Sequence, residues 1–252
     1  MHNRAASRPT GEPDKEIARL EKPGEVLEAA GAWLAAHLET EGFSWSRTER
    51  RLQRTAGGRI EKIEFGTTTR NRKGQLIRLE PQYVRVLDKK LLEWRRAHPE
   101  RVLGTVDEVL VEDRADEVLG YWYRIDLAEP AHRIENLEAL LSRVRGVLIP
   151  WLAWTRDPDS LVAEVPDAML RTVLRDRTPA LVEWLISRDR QQSAQALVQR
   201  WFALHPSRVP IFESGGQCAR DGRIPEWYAE GNDDVARTAL ALGWTAQRNG
   251  IS

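Results

Sequence analysis

Apolar residues recur at helical spacing along the first ordered stretch of the chain. Val26, Leu27, Ala30, Trp33, Leu34, Ala36 and Leu38 predict an amphipathic helix beginning at Gly24. In Glu41-Gly42-Phe43, Gly42 stands where a left-handed residue closes such a helix. The period then changes. Residues 46–55 hold Arg47, Arg50, Arg51 and Arg54 with little apolar content, which suits a strand at an edge or with a solvated face. Ala56-Gly57-Gly58-Arg59 is a hairpin signal, because glycine supplies positive φ without steric cost. Residues 59–69 alternate, with Ile63 and Phe65 on one face and Lys62 and Glu64 on the other. A second turn, Asn71-Arg72-Lys73-Gly74, leads into a third strand over 75–86, where Ile77, Leu79 and Tyr83 share a face. Pro81 lacks an amide hydrogen and restricts that strand to an edge or a local break. A short helix over 89–96 ends at His98-Pro99.

Residues 102–111 fit neither period cleanly and are read as a strand. Leu119, Tyr121, Tyr123, Ile125 and Leu127 alternate with Gly120, Trp122, Arg124 and Asp126, which predicts a central strand. Ile134, Leu137, Leu140, Leu141, Val144 and Leu148 trace a helix that Pro150 must kink or stop. Beyond Asp157 the strand signals fade. Asp157-Pro158 and Thr178-Pro179 each place a capping side chain before a proline suited to the first helical position. The second of these helices carries Leu181, Val182, Trp184, Leu185 and Ile186 and pairs with one over 191–204; a loop over 208–224 and a last helix over 233–242 follow. Pro9, Gly11, Pro13 and Pro23 mark residues 1–23 as a flexible lead-in. The expected architecture is α+β: an antiparallel β-meander over 24–157 with helices packed on one face, then a helical region over 158–252 packed on it.

Composition narrows the classes. The 252 residues carry 38 Lys and Arg against 38 Asp and Glu, so bulk attraction to nucleic acid or anionic lipid is absent. Charge is nonetheless segregated, since Arg47 to Arg96 contains fifteen basic residues and six acidic ones. No apolar run approaches the roughly 20 residues of a membrane helix, and no apolar stretch follows Arg4 and Arg8 to make a secretory signal. A cytoplasmic protein without membrane contact is expected. The one cysteine, Cys218, has no partner for an internal disulfide or a structural zinc site.

The succession of Leu34 to Leu38, Glu41-Gly42-Phe43, an arginine-rich strand, Ala56-Gly57-Gly58, Ile60 to Phe65 and Gly74 resembles a bacterial domain of unknown function, number four-three-zero-four. Gly120-Tyr121-Trp122-Tyr123 and Leu148-Ile149-Pro150-Trp151-Leu152 echo that family's later strand and helix. The resemblance covers about residues 24–160, implies an α+β fold, and carries no catalytic residues.

Catalytic signatures are missing from the sequence. The histidines are scattered, with none at metal-binding spacing, and read as structural or solvated. Ser214-Gly215-Gly216 lacks the preceding glycine of a hydrolase elbow. Glu61 and Lys62 are adjacent and point to opposite strand faces, so with Glu64 and Glu80 they do not make a nuclease cluster. Catalytic, metal and cofactor residues are therefore expected to be none. The candidate binding surface is Arg47, Arg51, Arg54, Lys62, Arg70, Arg72, Lys73 and Arg78, with Trp122 lining a groove. These arginines either meet phosphates, with aromatics for stacking, or are neutralised within the chain and guard a sheet edge. Trp33, Trp184 and Trp201 lie on helical apolar stripes and are expected in the core. The expected function is non-enzymatic binding of a protein partner. Nucleic-acid binding through the basic sheet, and an enzyme pocket near Trp122, Glu64 and Glu80, are the alternatives.

Overall fold

The computed structural model describes residues 12–99, 102, 106–167, 170 and 178–210, and they form an α+β fold. In chain order the elements are α1 (Glu12–Arg19), α2 (Pro23–His37), β1 (Ser44–Ser46), β2 (Arg51–Ala56), β3 (Arg59–Gly66), β4 (Arg78–Asp88), α3 (Lys89–Ala97), β5 (Val109–Arg114), α4 (Ala115–Leu119), β6 (Ile125–Asp126), α5 (Arg133–Arg143), α6 (Ile149–Ala153), α7 (Leu161–Glu164), α8 (Thr178–Ile186) and α9 (Gln191–Leu204). The sheet is antiparallel, in the order β1-β2-β3-β4-β5, with β6 paired to β4. Two compact units are present: residues up to Arg85 with Asp113–Ala153, and Val86–Glu112 with the residues from Trp154 onward.

In the first unit, Pro23 opens α2, and Val26, Leu27, Ala30, Trp33 and Leu34 are buried along it. A short 3-10 turn, Glu39–Glu41, follows, and Gly42 closes it at φ 82°. Both glycines of the β2–β3 turn have positive φ, 60° and 81°, the mirror-image turn whose twist matches the strands. Register places Trp45, Leu52 and Arg54 on one face with Ile63 and Glu61. That face is covered by α2, where Trp45 lies so close to Gly31 that an added Cβ would stand 2.1 Å from the indole. Only glycine admits this approach.

Four expectations need correction. The first predicted strand is broken: residues 47–50 turn, with Arg50 at φ 48°, and β2 begins at Arg51. No apolar side chain lies between Trp45 and Leu52 to hold that stretch against a core. From residue 12 the supposed flexible lead-in is helix α1. It buries Ile17, Asp14 accepts from Trp33 Nε1 at 2.8 Å, and Arg133 donates to the Ile17 and Leu20 carbonyls at 2.6 and 2.8 Å. The alternating stretch 119–127 is no central strand; α4 ends at Leu119, Gly120 caps it at φ 78°, and only Ile125 and Asp126 pair, with Leu79 and Arg78. Alternation says which side chains share a side, but aromatics fell on both sides here and Gly120 favours a helix end. An edge place for Pro81 is also excluded, because β4 lies between β3 and β5; Pro81 directly follows Glu80, beyond the last residue paired with β6.

Pro150 does not stop its helix. Residues Val144–Leu148 form a π turn in which Ile149 N–H reaches back to Val144 O, and α6 continues through the proline. One wide turn relieves the clash a proline makes with the preceding helical carbonyl.

In the second unit, α3 is capped by Asp88, which accepts from Lys90 N at 2.9 Å and Leu91 N at 3.1 Å. The helices predicted over 178–187 and 191–204 are α8 and α9, with Leu181, Val182, Trp184, Leu185, Leu197, Val198 and Trp201 buried. Asp157 accepts from Asp159 N and Ser160 N ahead of the short α7. The predicted last helix, Ser214-Gly215-Gly216 and Cys218 lie outside the described residues.

Candidate functional site

The basic residues predicted as one surface are dispersed. Arg47 stands in the turn after β1, and Arg70, Arg72 and Lys73 lie in the connection between β3 and β4, so none of these four is on a strand. Of those on strands, Arg54 is on the covered face. It bonds Glu61 at 2.7 Å, reaches the Glu41 carbonyl at 2.8 Å and lies 4.4 Å over the Phe43 ring. Arg51 and Lys62 share the opposite face, two residues apart in register, since Lys62 stands opposite Gln53. Carboxylates answer half of these eight cations: besides Arg54, Arg51 pairs with Glu49, Lys73 with Glu21 at 2.5 Å and Arg47 with Glu28 at 3.7 Å. Lys62 is engaged as well. Arg78 is half-buried, and its backbone N–H goes to Asn71. A continuous one-sign sheet face, as a phosphate backbone needs, is not what these residues build.

Glu61 is fully buried in this cluster, and burial pushes its carboxyl up against the pull of Arg54 and Arg59. A folded-state value above the unfolded one means the folded chain holds the proton more tightly. This group's contribution to stability is therefore full below the ordinary glutamate range and lost as pH rises through the raised value. Glu61→Gln cannot ionise, so between about pH 4 and about pH 7 its urea midpoint should gain on the parent's. Parallel midpoints across that interval would refute the assignment.

Three of the five histidines share an arrangement. Trp33 and His37, Trp94 and His98, and Trp201 and His205 are each four residues apart at a helix C-terminus. The rings lie 3.7, 5.0 and 4.6 Å apart. Imidazole at i+4 lies on the indole one turn below it, a structural use of histidine. Among the described residues no group of three or more His, Cys, Asp or Glu is placed to hold a metal ion.

What the structure does bring together is a pocket of about 340 Å³ in the first unit, lined by Glu80, Pro81, Gln82, Tyr83, Arg114, Asp116 and Trp122. Gly120 turns the chain out of α4 two residues before Trp122, which lines the pocket. Trp122 is 64% exposed and Tyr121 44%. Across the pocket, Trp122 Nε1 donates to Glu80 Oε2 at 3.2 Å. Glu80 is only 8% exposed. Arg114 sends two parallel hydrogen bonds to Asp116, at 2.9 and 2.7 Å, and these hold the Asp116 carboxyl below its usual range. Tyr83 and Tyr121 each carry a guanidinium, from Arg85 at 5.2 Å and Arg143 at 5.7 Å.

Trp122 is thus the predicted site residue that the fold places at this pocket, and Glu80 joins it, while Arg47 lines two other hollows beside α2. Glu64 does not join them, being paired with Arg85 at 3.1 Å. The sequence offers Tyr83 only as a stacking aromatic for nucleic acid, and Arg114 and Asp116 were missed, having no pattern along the chain that marks them. Among the described residues no helix is long and apolar enough to cross a membrane. No family model matches the chain, nor does any curated protein or solved structure.

Proposed function

We propose that this chain is a non-catalytic protein-interaction module whose partner docks on the Trp122 corner of the first unit. The observation that carries this reading is the exposure of Trp122 and Tyr121 beside a formed pocket. Trp, Tyr and Arg dominate binding hot spots because they bring large contact area and a polar handle at small entropic cost. Trp122 and Tyr121 are, with Val106, the exposed large hydrophobic residues among those described. The carboxylates answering Arg51, Arg54, Lys73 and Arg47 weigh against nucleic acid as the partner.

A photo-crosslinking side chain at Tyr121, in full-length protein expressed in its native cells, identifies the partner. The purified partner should then bind with an affinity that Trp122→Ala weakens by roughly 30-fold, the scale of a hot-spot residue. The joint charge reversal of Arg47, Arg72 and Lys73 should leave it within about threefold, since rim charges act weakly. Partner binding indifferent to Trp122→Ala defeats the proposal. So does steeply salt-dependent retention of RNA or single-stranded DNA that vanishes with the charge reversal.

A further inference from the structure

We infer that the Trp122 pocket takes an arginine side chain of the partner, seated on the indole face with its guanidinium on Glu80. This deepens the interaction reading above and rests on it for the partner's being a protein. The chain itself supplies the comparison. In three other places an aromatic ring, a carboxylate and an arginine stand together. Arg54 lies over Phe43 and bonds Glu61; Arg85 lies over Tyr83 and bonds Glu64. Arg188 lies 5.7 Å from the Trp184 ring and bonds Asp88, which also accepts from Trp184 Nε1 at 2.7 Å.

Trp122 and Glu80 repeat the last arrangement with one member missing. The indole N–H donates to the carboxylate, as at Trp184. Yet among the described residues no cation pairs with Glu80, and no ring or guanidinium lies on Trp122. The one guanidinium in the lining is spent on Asp116. The pocket lining therefore holds two carboxylates and one guanidinium, and the unmatched carboxylate is the more buried of the two. A carboxylate this enclosed is stabilised by a cation brought to it. An indole face is the strongest side-chain π surface for one. Guanidinium fits better than ammonium because it stacks flat on the ring while its edge meets the carboxylate in two hydrogen bonds.

The test is a titration of the full chain, labelled with 15N at its indoles, with N-acetyl-arginine amide and with the neutral isostere N-acetyl-citrulline amide at constant ionic strength. Trp122→Phe identifies the Trp122 indole signal by its loss. That signal should move saturably with the arginine compound at a Kd in roughly the millimolar range, as expected for so small a ligand. It should move at least tenfold less tightly with citrulline, and Glu80→Gln should weaken the arginine titration at least tenfold. Equal response to the two compounds, indifference to Glu80→Gln, or no saturable shift overturns the inference. The two proposals fail separately. If arginine is not bound while Trp122→Ala still releases the crosslinked partner, docking stands and the arginine is wrong. Arginine bound at Glu80, with a partner indifferent to Trp122→Ala, leaves the pocket's chemistry standing without the docking role.

Discussion

Asp88→Ala should lower the stability of the second unit by about 3–5 kcal/mol, the cost of removing one partner from a buried hydrogen-bonded charge pair. The side chain is fully buried and serves four donors: the Lys90 and Leu91 amides, Trp184 Nε1 and Arg188. Losing the helix cap alone costs about 1 kcal/mol. The remainder comes from the indole N–H, buried with nothing to accept it, and from Arg188, which is partly exposed and so recovers some hydration. Asp88→Asn keeps one acceptor oxygen, enough for the cap or for the indole but not both, because the amides use Oδ1 and Trp184 Nε1 uses Oδ2, so it should recover only part of the loss. Urea unfolding followed by far-ultraviolet dichroism measures the difference, and hydrogen exchange at Lys90, Leu91 and along α8 locates it. An alanine variant within about 1 kcal/mol of the parent, the ordinary scale of a surface change, would show that water takes over these bonds.

Arg133→Met should release α1 from the first unit. Arg133 is 2% exposed, and its guanidinium donates to backbone carbonyls: Leu127 at 2.6 Å, Ile17 at 2.6 Å, Leu20 at 2.8 Å and Ala128 at 3.4 Å. Burial pulls its pKa down, a sign of the desolvation the charge bears. Methionine removes that cost, which offsets part of the loss. It also strands up to three close carbonyls at roughly 1–3 kcal/mol each, so a net loss of about 2–4 kcal/mol is expected. The effect should be local. Amide protection in α1 should fall toward that of an isolated short helix, which does not hold in water, while β2 and β3 stay protected. Arg133→Lys, able to reach one carbonyl or two, should recover part of it. Uniform loss across the first unit would mean that Arg133 supports the whole unit and not the α1 attachment.

Legibility in the sequence followed the range of the interaction. Gly42, the Gly57-Gly58 turn and the α8 and α9 stripes were readable because each rests on a local rule: positive φ, a two-residue hairpin or a 3.6-residue period. Burial of Trp33, Trp184 and Trp201 followed from the same periodicity. Helix α1 was missed because what anchors it is Arg133, more than a hundred residues away. Residues 119–127 were misread because a period of two is compatible with a strand yet cannot show that a partner strand exists. Charge told least. Fifteen basic residues in one stretch looked like a surface, but turns carried several off the sheet, and register set Arg54 against Glu61 in the interior.

By itself the sequence determined the α+β class, the antiparallel hairpin and the helical character of residues 178–204, since these depend on backbone preferences and on which side chains share a face. The tertiary structure decided which charges are matched, and among the described residues it leaves Glu80 without a cation. Glu80 and Trp122 are 42 residues apart and show no relation along the chain. They meet because β6 pairs with the start of β4 and Gly120 turns Trp122 outward above it. Matching of charges depends on distances of a few ångströms between segments remote in sequence, and only packing sets those distances.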